Sequence, residues 1–226
     1  RYPLAQQVQS FRSIRGRVLN VVLKRKKKSI LSIYAIQAPT APYGAGKTET
    51  IQLARDLRRM LNADLANGNK IIVVGDLNSY PDRTIDYKGN ASGQEPSDII
   101  VELKNMGLVD VFRIFYCYNE EFTFKTGNMA SRLDQFWISP QLVKQIENTS
   151  IMPFEETVSD HAAILLNFRW KCKKSPSQVH DRTFWNNKFE DKVLLWSSQA
   201  EKICERIIDA NTVYDNSNFE ETFDKL

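Results

Sequence analysis

The 226-residue sequence is poor in the features that most quickly assign a chain to a class. It has only 3 cysteines, Cys117, Cys172 and Cys204, without CxxC spacing. That count and scatter exclude a disulfide framework and a cysteine-based zinc site, and lead us to expect a reducing intracellular setting, nuclear or cytoplasmic. No apolar run approaches the roughly 18 residues that cross a bilayer, so no membrane span is expected. Internal repeats and low-complexity tracts are also lacking, and no secretory leader is expected. Histidine is scarce at 2 residues, which leaves few positions for imidazole chemistry.

What is present reads as a globular chain of one large domain, or one domain and an appendage. Hydrophobic residues make up 42% and charged residues 26%, which separates it from disordered sequences. The net charge of +4 is unevenly spread. From Ser175 onward there are 6 Lys or Arg against 10 Asp or Glu, so the preceding 174 residues carry 25 against 17. A basic body with an acidic tail is compatible with nucleic-acid binding.

Arg17 to Leu23 and Ser29 to Gln37 are strand-like runs separated by the basic loop Lys24 to Lys28, a predicted β-hairpin. The lysines are either a solvated loop or a phosphate-contacting one. The following segment, APTAPYGAGKT over 38–48, imitates a phosphate-binding loop. The full signature needs a glycine five residues before Gly46, and that position is Ala41, so an ATPase site at Lys47 is disfavoured. Thr48 or Thr50 is expected to cap a helix running to Ala66. Ile51, Leu53, Ala54, Leu57, Met60, Leu61 and Leu65 form its apolar face, with Arg55, Arg58 and Arg59 largely opposite.

Next comes KIIVVGDLNSYPD over 70–82. A short β-branched run bounded by turn residues reads as a buried strand, and the order strand, helix, strand predicts a parallel crossover. Asp76 and Asn78 then fall at the strand's carboxyl end, where α/β sheets bind ligands. A helix is expected over Pro96 to Asn105, capped by Ser97, and Leu108 to Arg113 is ambiguous. A strand over Phe122 to Phe124, a polar turn, a strand LDQFWIS and a final strand within Ser159 to Phe168 follow. After a short basic linker, Phe184 to Ala210 has helical periodicity and reads as a packing face. We therefore expect a domain over 1–170 and a linker with a helical extension over 171–226.

Three acidic strand-end segments stand in one order: Gly-Asp-Leu-Asn at 75–78, Ser-Arg-Leu-Asp at 131–134 and Ser-Asp-His at 159–161. Carboxylates that hold a cation, beside an imidazole that can donate a proton, are what metal-assisted hydrolysis of phosphate esters requires. Together with the Phe-Thr-Phe strand, the order resembles the endonuclease/exonuclease/phosphatase superfamily over roughly residues 16 to 169. Within it, the sequence is most similar to the endonuclease domain of LINE-type retrotransposons, since RTFWNNKFEDKVLLW resembles the segment between nuclease and reverse transcriptase in those polyproteins.

The resemblance implies an α/β fold, part of a four-layer sandwich of two packed mixed β-sheets flanked by helices. It implies hydrolysis of DNA phosphodiesters with Mg²⁺, Mn²⁺ being the alternative, and a reverse transcriptase domain downstream as a partner. Asp76 would orient or deprotonate the attacking water, and Asn78 would hydrogen-bond the scissile phosphate. His161 would stabilise charge on that phosphate, with Asp134 fixing its ring, and Asp160 would bind the metal. Gln37 and Phe124 would line the substrate groove, and Arg132 would touch phosphate or cover a sheet edge.

Two departures accompany the resemblance. Gln37 stands where the family has a tyrosine, and Tyr34, three residues earlier, points to the other face of its strand. The family's upstream asparagine and metal-binding glutamate have no counterpart in RYPLAQQVQSFRSIR, so we expect the first strands to be missing and activity to be impaired. Competing functions are a phosphatase or phospholipase of the same superfamily and a catalytically dead nucleic-acid-binding remnant.

Overall fold

The computed structural model describes residues 7–25, 29–40, 45–89, 95–154 and 159–169. The chain divides after Pro176 into two units, and every described residue belongs to the first. The expected helix over Phe184–Ala210, the extension over 171–226 and Lys26 to Lys28 lie outside the described residues.

The hydrophobic runs on either side of the lysine loop pair as expected. β1 (Val8–Ile14), β2 (Val18–Arg25) and β3 (Ser29–Gln37) form an antiparallel meander, and β1 is a strand that the sequence patterning did not indicate. Helix α1 (Ala45–Ala66) crosses over to β4 (Lys70–Asp76), which lies parallel to β3. There follow α2 (Arg83–Asp86), β5 (Tyr87–Lys88), α3 (Asp98–Asn105), β6 (Val109–Asp110) and α4 (Val111–Phe115). The hairpin β7 (Phe124–Thr126) and β8 (Met129–Ser131) leads into β9 (Asp134–Ile138). A 3-10 helix (Pro140–Gln145) then precedes β10 (Ile146–Ile151), which pairs with β11 (Ile164–Phe168).

The main sheet is six-stranded, in the order β1-β2-β3-β4-β9-β6. A three-stranded sheet β5-β8-β7 and the pair β10-β11 accompany it, giving a mixed α/β fold of several packed sheets and helices. Register sorts the main sheet into two faces, because residues paired across neighbouring strands point to the same side. Tyr34, Val73 and Trp137 align on one face, and Ile33, Ile72 and Ile138 on the other. The first face packs on α1 and α3 through Leu53, Leu57, Leu61, Ile99, Ile100 and Leu103. The second face packs on α4, the 3-10 helix and β10 through Val111, Leu142 and Ile146.

Several local expectations are corrected. The helix α1 begins at Ala45, so Thr48 and Thr50 lie inside it, and the Thr50 hydroxyl donates to the Gly46 carbonyl at 2.9 Å. Ser97 occupies the N-cap position of α3 without a side-chain capping bond; its backbone N–H donates to Ser79 Oγ at 2.9 Å. The Phe-Thr-Phe strand starts only at Phe124 and belongs to the small sheet, because the chain turns at Arg132 and Leu133 before entering β9. Leu108 to Arg113 resolves into β6 and the start of α4.

One glycine is dictated by close approach. Gly75 in β4 has φ +136, and a Cβ there would lie 2.0 Å from the Ile36 carbonyl oxygen. Ile36 is its register partner on β3, so neither backbone can retreat without breaking the parallel ladder. Gly75→Ala is expected to lower stability by on the order of 3 kcal/mol through overpacking and backbone strain, read from urea unfolding midpoints.

Candidate active site

Parallel pairing of β3 with β4, and antiparallel pairing of β4 with β9, set three polar residues in one row. Gln37 is the register partner of Asp76, and Asp76 is the partner of Asp134. They end the face whose next row is Ala35, Val74 and Phe136. Beside them a trough of about 330 Å³ opens on this face, lined by Leu19, Ala35, Gln37 and Val74.

Asn78 is fixed by a tight turn after β4. Its φ is +46, a conformation asparagine tolerates better than most residues. Its backbone N–H donates to Asp76 Oδ1 at 2.9 Å, and its side-chain Nδ2 donates to Asp76 Oδ2 at 3.1 Å and to the Ala38 carbonyl at 2.7 Å. Both Asp76 oxygens are thus engaged. Asp76 is half-buried, and burial is the largest influence, pushing its carboxyl above the usual carboxylate range. The Asn78 N–H opposes that shift, Asp134 adds to it, and His161 opposes it.

His161 reaches the same edge from a different part of the chain. Its Nδ1 lies 2.8 Å from Asp134 Oδ2. A carboxylate can only accept, so Nδ1 carries the proton and Nε2 is the nitrogen left for another partner. The ring packs against Phe124 at 4.9 Å between centroids, and Phe124 and His161 form a β-bridge. Asp160 is exposed, and one of its carboxylate oxygens accepts from Ser159 Oγ at 3.3 Å.

Thr123 joins these pieces. It is fully buried, and its Oγ1 accepts the N–H groups of both Leu133 and Asp134 at 2.9 Å. Its carbonyl accepts from Ala162 N–H at 2.7 Å, and Lys125 N–H donates to the Asp160 carbonyl at 3.2 Å. Segments far apart in the sequence therefore hang on one short strand. Thr123 was not singled out from the sequence; the only signal is a small polar residue between two aromatic ones.

The expectation for Arg132 is overturned. It is 0% exposed, so its guanidinium does not face solvent where a phosphate would arrive. Its Nε and Nη2 donate to Asp86 at 2.6 and 3.2 Å, and Nη1 and Nη2 donate to Asp110 at 3.2 and 2.6 Å. Burial pulls the guanidinium's pKa down, yet the two carboxylates more than offset this and hold it above its ordinary value. Arg113 pairs with the same Asp86. Arg132 is thus a structural cation under the Asp134 segment.

Among the described residues, no three His, Cys, Asp or Glu side chains come together where they could hold a metal ion. Mg²⁺ does not need three, since it is held by one or two carboxylates together with waters and substrate phosphate. Asp160, exposed and only lightly engaged, suits such an open site.

A family model described as the Endonuclease/Exonuclease/phosphatase family matches residues 1–161. Among curated proteins no match is found. Among solved structures, a 3′ phosphatase, NExo, from Neisseria bound to a product DNA hairpin aligns with a TM-score of 0.61 at 15% identity, covering 72% of each chain. An AP endonuclease from Archaeoglobus fulgidus aligns at 0.56 and 14%, over 71% of this chain and 68% of that one. The AP endonuclease LMAP from Leishmania major aligns at 0.57 and 21%, over 69% of this chain and 55% of that one. At these identities the likeness is one of fold.

Proposed function

The chain belongs to the endonuclease/exonuclease/phosphatase family, and on that premise we propose that it hydrolyses phosphodiester bonds of DNA with a divalent cation, Mg²⁺ or in its place Mn²⁺. The observation that carries this is the Asp134–His161 pair, held at 2.8 Å on the strand whose Asp134 is the register partner of Asp76. Asp76 orients the attacking water and takes its proton. Asn78 then turns an Nδ2 hydrogen from Asp76 Oδ2 to the scissile phosphate, and His161 stabilises, through Nε2, the oxygen on which charge develops. Asp160 would hold the cation, which when bound neutralises phosphate charge. Gln37 and Phe124 flank the reacting groups as substrate contacts.

The protonation of Asp76 sets a pH dependence. A base must be ionised, and burial raises the pH at which Asp76 ionises. Cleavage is therefore expected to fall as the pH drops through a midpoint above the ordinary carboxylate value of about 4. Stability runs the other way. Asp76 binds its proton more tightly folded than unfolded, so its contribution favours folding below the unfolded value and is lost as pH rises through the folded one. A pH–rate profile of cleavage checks the first statement, with Asp76→Asn as its inactive control.

We further propose that the chain turns over slowly by itself, below about 1 s⁻¹, the low end for enzymes. Support comes from residues 7–15, which contain neither asparagine nor glutamate and contribute only Ser13 to the lining of the open trough. The retroelement type, with a reverse transcriptase downstream, rests on the resemblance of RTFWNNKFEDKVLLW, and a nuclear or cytoplasmic place of action on the three scattered cysteines. A coding frame that lacks a polymerase after that segment would sink the retroelement type. Substrate class is tested by offering plasmid DNA, an inositol phosphate and sphingomyelin side by side with Mg²⁺. Turnover of DNA alone is expected; preference for either of the others would make the chain a phosphatase or phospholipase. Salt-dependent DNA binding without turnover would make it a binding remnant.

A further inference from the structure

Gln135 belongs to none of the roles described above, yet its amide is as fully engaged as any among the described residues. It is 2% exposed and lies on the helix-facing side of β9, opposite Gly75. The Trp137 indole N–H donates to its Oε1 at 2.8 Å. An indole can only donate, so the oxygen must face Trp137 and the amide cannot be turned round. Its Nε2 then points at two close carbonyls, Ser79 at 2.7 Å and Arg132 at 3.0 Å, with the Leu133 carbonyl further off at 3.5 Å.

Those carbonyls belong to different halves of the site. Ser79 directly follows Asn78, the residue at φ +46 whose side chain spans Asp76 and Ala38. Arg132 begins the bend that delivers Asp134 to β9. The Leu77 N–H also crosses the gap, to the Leu133 carbonyl at 2.9 Å, but that bond holds the turn only on its Asp76 side. On the far side, the side-chain tie from Asn78's own turn to the Asp134 segment is Gln135.

We infer that Gln135 is a positioning residue. Its amide staples the turn carrying Asn78 to the segment carrying Asp134, and Trp137 sets the direction of the staple. The inference rests on the reading of Asn78 as a phosphate contact. A turn held at both ends keeps the Asn78 amide aimed at one point, and misplacement of such a group by about 1 Å can lower turnover by on the order of 10²-fold.

The test is amide hydrogen exchange by NMR on the full chain, comparing Gln135→Leu and Gln135→Glu with the unmodified protein. Leucine removes the donor, and an ionised carboxylate would face two carbonyl oxygens. In both, exchange at the Asn78 N–H is expected to accelerate by on the order of tenfold, as for loss of one buried hydrogen bond, while amides within β3 keep their rates. Equal acceleration at Asn78 and in β3 would reduce Gln135 to general packing and overturn the inference. So would an unchanged Asn78 rate in a variant whose Trp137 indole resonance has shifted. Should both variants fail to fold, the unmodified protein decides: slow exchange of the Gln135 side-chain amide supports the staple, and exchange at the rate of a free amide overturns it. Where the chain cleaves DNA, both variants lower kcat and leave KM in place. If it does not, the functional reading fails, and the exchange rates still decide the role of Gln135.

Discussion

Replacing Arg132 by alanine is expected to cost about 3–5 kcal/mol, a large part of the roughly 5–15 kcal/mol that holds an ordinary domain folded. The reason is what would remain. Asp86 is 0% exposed and Asp110 is 7% exposed, and both are paired with the same guanidinium. Arg113 would still meet Asp86, but no cation would be left for Asp110 among the contacts described. The Arg132 N–H also donates to the Asp86 carbonyl at 3.0 Å, and its guanidinium lies 5.3 Å from the centre of the Phe112 ring. Arg132→Lys should recover only part of the loss, because an ammonium cannot fork to two carboxylates. Combining Arg132→Met with Asp110→Asn, and keeping Asp86 for Arg113, should cost less than Arg132→Ala alone, since no buried carboxylate is left unpaired. Urea unfolding midpoints measure all three, and an alanine variant within about 1 kcal/mol of the parent would contradict this account.

The largest effect on activity is expected at Asp134 and His161. Each single change, Asp134→Asn or His161→Ala, should lower DNA cleavage by about 10²- to 10⁴-fold. The double variant should be little worse than the poorer single one, because groups that act as a unit lose their joint contribution when either is removed. Stability should change little, since the pair is partly exposed, His161 at 30% and Asp134 at 18%. Losses that multiply would show that the 2.8 Å contact is structural and that the two residues act apart.

Much of this site was legible before the fold was known. Asp76, Asn78, Asp134 and His161 each lie within a few residues of a strand end, and short apolar runs closed by polar turns mark such places in sequence. The crossover from β3 to β4 was legible for the same reason, as was the buried face of α1. Arg132 was misread because an arginine between a serine and a leucine carries no local sign of burial. Its partners stand 22 and 46 residues upstream, and only folding brings both carboxylates to it. Thr123 and Gln135 were invisible on similar grounds: their importance lies in which backbone groups they meet. The turn at Arg132 that splits LDQFWIS from the β7–β8 hairpin follows from those same contacts. The start of α1 was placed too late because threonines suited to a cap lie inside the helix.

The central claim is that Asp76, Asn78, Asp134, Asp160 and His161 form one hydrolytic site for DNA. Conversion of supercoiled plasmid to nicked circles by the chain and by its Asp76→Asn variant, with Mg²⁺ and with chelator, tests it most directly. Slow nicking is expected that needs Mg²⁺ and disappears in Asp76→Asn. Plasmid left intact by the unmodified chain, or nicked equally by the variant, would contradict it.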